Sequence, residues 1–199
     1  MLHSKLIKKE DVNTIFMALA NKYESLGGNN KVSIHLVGGA AIVSRFKYRA
    51  STTDIDAYYL DNDILNKAIE QTSKELSLPL DWLNKEFTNT PSYTPNIIGK
   101  AVLLSKYGKY ITVYTLEPKY LIAMKLKSSR PTGGDLDDVI KMIYELRYNR
   151  VEISYDEIIA AYNELYDDFS NTYDYFLRKT KEAFEIPIED IEPFFISSI

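Results

Sequence analysis

The sequence predicts an α/β fold in which a small mixed sheet carries packed helices and is followed by a C-terminal helical extension. Two stretches with alternating apolar residues, 32–37 and 53–60, predict neighbouring strands in the first third of the chain. Apolar residues at helical spacing flank these strands and dominate the C-terminal third. We therefore expect a core over residues 1–130 and a helical region over residues 131–199 that packs on this core.

The remaining elements of the core follow from hydrophobic spacing and from helix-ending residues. Residues 1–9 are expected to form a mobile basic start, and a helical stripe then runs to the pair Gly27-Gly28. After the two strands, Asp61 can cap the next helix. Two more short strands are predicted over 102–104 and 110–113.

The later helices have recognisable first turns. Pro118 fits the first turn of one helix, where its missing N–H costs nothing. Asp135 opens another helix and is expected to be its N-cap. Ser154 and Glu157 have the spacing of a capping box at the start of a third.

Composition excludes several classes of protein. The chain of 199 residues has no cysteine and two histidines, which rules out disulfides, thiolate metal sites and a histidine-only zinc site. No apolar run approaches the length of a membrane span, and the N-terminus lacks a signal-peptide core. We expect a cytoplasmic protein without membrane contact.

Charge is unevenly distributed along the chain. Residues 151–199 contain twelve acidic and three basic residues, whereas residues 1–150 carry a net charge of +5. A basic N-terminal part favours an anionic substrate there, although a solvated charged face would give the same imbalance. The final segment combines acids with Phe194 and Phe195, and we expect it to contact its own chain, a second copy or a partner protein.

A double glycine interrupts the chain between the first predicted strand and a short apolar helix. Gly38 and Gly39 follow the strand over 32–37 directly. Glycine lets the backbone approach a ligand closely, and the N-terminus of a helix presents N–H groups. A strand that runs through two glycines into a helix is therefore typical of phosphate binding.

Two aspartates lie on the second predicted strand. Asp54 and Asp56 point to the same face because side chains alternate along a strand, while Ile55 and Ala57 point to the other. Two adjacent carboxylates repel each other unless a cation lies between them. Mg²⁺ typically takes one or two carboxylates and completes its shell with substrate phosphates. A surface strand with two solvated aspartates is the alternative.

The ordered set of strand, Gly-Gly, helix and strand-borne Asp-x-Asp resembles the nucleotidyltransferase superfamily related to DNA polymerase β. The resemblance implies a nucleotidyltransferase-like sheet and an Mg²⁺-dependent transfer of NMP from an NTP to an acceptor hydroxyl. Gly38 and Gly39 would bind the β- and γ-phosphates, and Asp54 and Asp56 would hold the metal. Asp56 would also activate the acceptor hydroxyl.

A second set of residues resembles a small bacterial branch near the AbiE-type nucleotidyltransferase toxins. The element LPLDWLN over residues 78–84 and the stretch LIAMKLKSSR over 121–130 match motifs of that branch. The resemblance implies that Lys125 contacts the triphosphate or the leaving pyrophosphate, that Arg130 binds phosphate, and that Asp135 holds Lys125. A lysine packed along its helix and a surface arginine are the structural alternatives.

Basic residues also follow the short helix. Arg45 and Arg49 could reach phosphates near the glycines, or they could belong to a solvated loop. The third acid that many superfamily members carry on a later strand is absent from 111–115. This absence leaves open a catalytically silent binding partner in a toxin–antitoxin complex.

The acceptor is not encoded in any motif of the chain. The toxin-like resemblance suggests RNA or tRNA, and a small-molecule (antibiotic) nucleotidyltransferase is the other enzymatic alternative. Expected partners are an NTP, an RNA acceptor, and an antitoxin protein or a second copy of the chain.

Overall fold

The computed structural model describes residues 6–130, 132–166 and 174–191, which divide into two compact units. Within the described residues, the first unit comprises 6–45, 49–87 and 101–115, and the second comprises 46–48, 88–100 and the residues from 116 onward. The C-terminal apolar and acidic residues 192–199, on which a contact surface was predicted, lie outside the described residues. The predicted division into a core over 1–130 and a helical region over 131–199 stays a prediction.

Seven strands and seven helices form the described chain, apart from short 3-10 turns. In chain order they are β1 (Ile7–Lys8), α1 (Lys9–Ser25), β2 (Val32–Leu36), α2 (Gly38–Arg45), β3 (Ser51–Thr52), β4 (Ile55–Tyr58), α3 (Asp63–Leu76), β5 (Leu83–Asn84), β6 (Ala101–Tyr107), β7 (Ile111–Leu116), α4 (Pro118–Ser128), α5 (Asp135–Tyr148), α6 (Tyr155–Leu165) and α7 (Asp174–Glu185).

The main sheet has the strand order β5-β4-β2-β7-β6 and is mixed. Strand β2 runs antiparallel to β4 and parallel to β7, and β4 runs parallel to β5. A separate pair, β1 and β3, is antiparallel. The sheet with helices packed on it, followed by the helices α5, α6 and α7, confirms the predicted α/β fold class.

One face of the sheet is apolar and buried. Ile34, Ile55 and Val113 on three adjacent strands are each fully buried, as the alternating pattern predicts. Trp82, which precedes β5, is also fully buried, and its indole N–H donates to the carbonyl of Ile69 on α3 at 3.2 Å. Trp82 therefore anchors the edge of the sheet to a helix.

Two sequence predictions about element ends are wrong. Residues 7–9 do not belong to a mobile start: Ile7 is buried and pairs with Thr52 across β1 and β3. The predicted strand over 53–60 is shorter, because the chain pairs with β1 before Asp54 and with β2 and β5 only from Ile55 onward. Pairing between segments distant in sequence decides both ends, and local periodicity does not report it.

Helix starts are partly as predicted. Asn62, and not Asp61, caps α3, since its side chain accepts from the Leu65 N–H at 2.8 Å. The capping box of Ser154 and Glu157 is confirmed, and Pro118 occupies the first turn of α4. None of the helices in the described part of the chain is long and apolar enough to cross a membrane.

Candidate functional site

The glycine pair lies against the strand that carries the aspartates. Gly38 begins α2 with φ +57°, a conformation that a residue with a side chain rarely adopts. A Cβ added to Gly38 would stand 3.1 Å from Asp56 Oδ2. The Val37 N–H also donates to the carbonyl of Asp56 at 3.0 Å. The start of α2 and the Asp56 carboxylate are therefore immediate neighbours.

Gly39 is required for a different reason. A Cβ at this position would stand 2.5 Å from Thr52 Oγ1 and 3.1 Å from Arg49 Nη2. The helix start thus approaches β3 too closely for any side chain. The same approach brings the Arg49 guanidinium beside the glycines, with its Nε donating to the carbonyl of Ser51 at 3.4 Å. Arg45 lies in the last turn of α2, seven residues or about 10 Å along the axis from Gly38.

The two aspartates are half-buried and flank Ile55. Asp54 accepts from Thr53 Oγ1 at 3.1 Å and from Asn84 Nδ2 at 3.1 Å. Asn84 stands beside Asp56 in the parallel register of β4 and β5. Asn84 is the last residue of the LPLDWLN element on which part of the resemblance rests, and no role for it was predicted from the sequence.

The residues around Gly38 fit a hard cation that shares its shell with phosphate. Asp54 and Asp56 supply carboxylate oxygens, which suit Mg²⁺ when substrate oxygens complete the coordination. No group of three or more acidic or histidine side chains with metal-binding geometry occurs among the described residues. Strand β7 carries no acid. Among the described residues, Asp54 and Asp56 therefore offer a two-carboxylate set.

A buried charge cluster lies in the second unit. The Lys125 ammonium is 2.8 Å from Asp135 Oδ1 and 2.9 Å from Asp138 Oδ2. Arg130 binds Asp135 with both Nε and Nη2, at 2.9 and 3.0 Å, and its backbone N–H donates to the same carboxylate at 3.1 Å. Tyr48 donates to Asp138 Oδ1 at 3.0 Å. Two carboxylates thus engage the lysine that the resemblance assigns to phosphate.

Asp135 is fully buried and is not the N-cap of α5, which is a correction to the sequence analysis. Gly134 occupies the cap position, and the Asp135 carboxylate is taken by Arg130 and Lys125. Burial raises the pKa of Asp135, but the hydrogen bonds and positive charge of these two residues outweigh burial and lower the pKa to about 2. Ion pairing with buried Lys125 and with Arg130 therefore overrides local capping preference.

Glu145 on α5 holds the chain segment that follows α2. Its carboxylate accepts from the backbone N–H groups of Lys47 and Tyr48, each at 2.9 Å, and the side chain is buried. A buried carboxylate is satisfied here by backbone donors. The segment that follows α2 is thus fixed through its main chain, a contact that spacing along the sequence could not predict.

His35 lies on β2, and its buried Nδ1 has no hydrogen-bond partner within the described residues. Burial lowers the pKa of His35, which favours the neutral imidazole. The ring packs instead against the aromatic rings of Tyr58 and Tyr114.

A strand leading through glycines into a helix, with two carboxylates on the adjacent strand, is the arrangement on which the resemblance to nucleotidyltransferases rests. Residues 14–184 match the model of a family described as "Nucleotidyltransferase of unknown function (DUF6036)", and the chain belongs to that family. The family match supports the resemblance to the nucleotidyltransferase superfamily and a transferase activity. Comparison with the curated proteins and with the solved structures gave no significant match.

Proposed function

We propose that this protein is an Mg²⁺-dependent nucleotidyltransferase that moves an NMP from an NTP to an acceptor hydroxyl. The observation that carries the proposal is the close approach of Gly38 to the Asp56 carboxylate. It sets a glycine-led helix start, suited to phosphate, beside carboxylates suited to the cation that accompanies phosphate. Neither feature alone would specify a nucleotide.

The residues of the first unit divide the work as follows. The backbone at Gly38 and Gly39 binds the β- and γ-phosphates, and Arg49 adds positive charge beside Gly39. Asp54 and Asp56 hold Mg²⁺, which when bound supplies positive charge against the triphosphate oxygens. Asn84 orients Asp54 by donating to it. These groups position the α-phosphorus for in-line attack by the acceptor hydroxyl, whose proton Asp56 would accept. The bond from the α-phosphorus to the bridging oxygen breaks, and pyrophosphate leaves.

Lys125, Arg130 and Asp135 of the second unit have proposed roles that rest on the resemblance. Within this unit Asp135 holds Lys125 and Arg130 in fixed positions, and the resemblance assigns both basic side chains to phosphate. An ammonium has three N–H donors, and Asp135 and Asp138 engage two of those on Lys125. The third donor is the one that would contact phosphate.

The acceptor class is proposed on the sequence resemblance to AbiE-type toxins alone. We propose RNA, with tRNA as the first species to test, and an antitoxin protein or a second copy of the chain as a partner in a bacterial cytoplasm. The net charge of +5 over residues 1–150 favours a polyanionic acceptor.

A labelling screen tests the activity. The purified chain is incubated with each α-³²P-labelled NTP and Mg²⁺, together with total RNA, total protein or aminoglycosides, and a matched reaction contains EDTA. The proposal predicts label in RNA that disappears with EDTA. Label in the small-molecule fraction alone would identify the antibiotic-type alternative, and label in none would contradict nucleotidyl transfer.

A catalytically silent binding protein is the second candidate. The observation in its favour is that β7 carries no acid and that no group of three acidic or histidine side chains able to hold a metal occurs among the described residues. Such a protein would bind Mg²⁺–NTP without turning it over. Calorimetric NTP binding together with an empty labelling screen would favour this candidate over the enzyme.

A further inference from the structure

Three aromatic side chains form a row across adjacent strands of the first unit. The row consists of His35 on β2, Tyr58 on β4 and Tyr114 on β7, which the strand register places directly beside one another. The His35 and Tyr114 rings stack with centroids 4.9 Å apart and planes at 13°, and Tyr58 meets His35 edge-on at 6.3 Å. Mutual packing therefore holds the three rings in fixed orientations.

The polar tips of this aromatic row have no partners within the part of the chain that is described. None of the three side chains makes a hydrogen bond there, and only His35 Nδ1 is a fully buried polar atom. Leaving a buried N–H donor without a partner costs more free energy than leaving a buried acceptor nitrogen without one. We therefore assign the imidazole proton to Nε2 and leave Nδ1 unprotonated. The row thus presents two tyrosine hydroxyls and an imidazole N–H.

The row shares a sheet face with the carboxylates. Tyr58 follows Asp56 by two residues, so both side chains point to the same side of β4 and their Cα atoms are about 7 Å apart. His35 lies opposite Tyr58 and precedes Val37, whose N–H donates to the Asp56 carbonyl. The opposite face of the same strands carries the buried residues Ile34 and Ala57. The start of α2 at Gly38 and the neighbouring Asp56 carboxylate are here called the Gly38–Asp56 corner. The aromatic row therefore extends the polar face of the sheet beyond this corner.

We propose that the aromatic row binds the nucleoside part of a substrate whose phosphates lie at the Gly38–Asp56 corner. Ribose hydroxyls and base edges are hydrogen-bonding groups that match hydroxyl and imidazole tips, and aromatic rings tolerate any base. The inference rests on the proposed function for its phosphate side. Both the NTP donor and an RNA end contain a nucleoside, and the experiment separates these two sources.

Calorimetric titration of the full chain tests the row. The variants are Tyr58→Phe with Tyr114→Phe, which remove only hydroxyls, and His35→Phe, which keeps a ring. The control is Tyr110→Phe, which alters a tyrosine that packs on Tyr23 outside the row. The probes are the four NTPs with Mg²⁺, inorganic tripolyphosphate with Mg²⁺, and an RNA octamer with hydroxyl ends.

We expect the row variants to bind one nucleoside-containing probe about 5- to 10-fold more weakly, with tripolyphosphate binding unchanged. Weakened NTP binding assigns the row to the donor, and weakened RNA binding assigns it to the acceptor. If the wild type binds RNA but neither NTP nor tripolyphosphate, the proposed phosphate site at Gly38 and Asp56 is rejected. The RNA affinities of the row variants then still show whether the aromatic row binds a nucleoside. Equal affinities of the row variants and Tyr110→Phe, an equal loss of tripolyphosphate binding, or a wild type that binds no nucleoside probe would overturn the proposal.

Discussion

Single residues at the start of α2 are fixed by two different physical constraints. Gly38 has a positive φ, and Gly39 has no room for a Cβ. Gly27 has a positive φ but open space around it, whereas Gly99 has neither constraint. These four glycines therefore separate backbone strain from steric exclusion.

Alanine substitution at these glycines should follow that division. Gly27→Ala should lower the free energy of unfolding by about 1 kcal/mol from backbone strain alone. Gly39→Ala should lower it by about 1–3 kcal/mol from the clash with Thr52. Gly99→Ala should be neutral or slightly stabilising. Urea unfolding of the three variants measures this, and a Gly39→Ala protein as stable as Gly99→Ala would contradict the close approach.

Asp135 should make stability depend on acid pH. Because its folded pKa of about 2 lies below the ordinary value of 3.8, its contribution is complete above about pH 5 and is lost as the pH falls through 3.8 towards 2. Asp135→Asn should lower the free energy of unfolding by about 3–5 kcal/mol at pH 7, because buried Lys125 loses a partner.

Asp137→Asn is the matched control for Asp135, since the Asp137 side chain is mostly exposed and its ion pair with Lys141 lies at the surface. We expect a change of less than about 1 kcal/mol. Denaturant unfolding at pH 7, 4 and 2.5 compares the two variants. An Asp135→Asn protein that kept the acid dependence of the wild type would show that other carboxylates cause it.

At the scale of elements, local sequence signals predicted which segments form helices and strands better than where they end. Alternation predicted β2 and the buried residues of β4, and the capping box predicted the start of α6. Strand β1 was missed, since two residues carry no periodicity and pair with Thr52 and Ser51 far along the chain. The Gly38–Asp56 corner was predictable because both motifs are short and ordered.

The buried cluster shows the other limit of sequence prediction. From the sequence, Asp135 was predicted to be a helix cap. Only its three-dimensional contacts with Arg130 and Lys125 show what it binds. The aromatic row could not be predicted from the sequence, because three different strands contribute one residue each. Pairing register, and not spacing along the chain, brings such residues together.

The cap of α3 offers a test at this scale. Asn62→Ala should lower the free energy of unfolding by about 1 kcal/mol, because the Leu65 N–H loses its acceptor. Asp61→Ala should cost less than about 0.5 kcal/mol, because Asp61 only pairs with Lys85 near the surface. Thermal unfolding of both variants measures the difference. Equal losses would return Asp61 to the role that the sequence suggested.

At the scale of the whole molecule, the predictions concern the uneven charge of the chain and its association with itself or with partners. The change from +5 over residues 1–150 to −9 over residues 151–199 predicts that salt affects contacts of the two parts with ligands or partners. Ile191 is buried, so a truncation that spares the fold should begin after it. Removing residues 192–199 tests the end of the predicted contact segment and keeps all of the described residues.

Truncation at residue 191 should leave a folded protein with altered self-association or RNA affinity. The removed segment carries Phe194, Phe195, Ile196 and Ile199, whose apolar side chains favour contacts, and Glu192, whose charge disfavours RNA. Light scattering and RNA binding at low and high salt compare truncated and full-length chains. An unchanged mass together with an unchanged salt slope would reject an assembly role for this segment.

The central claim is that the carboxylates beside Gly38 serve nucleotidyl transfer, and one rate comparison tests it most directly. Transfer of α-³²P-labelled NMP to RNA is measured for the wild type, Asp56→Asn and Asp63→Asn, an exposed first-turn aspartate of α3. We expect Asp56→Asn to lose at least about 100-fold in rate. Its thermal stability should be equal or higher, because a repelling charge is removed, and Asp63→Asn should match the wild type. A folded Asp56→Asn protein that transfers label at the wild-type rate would contradict the account.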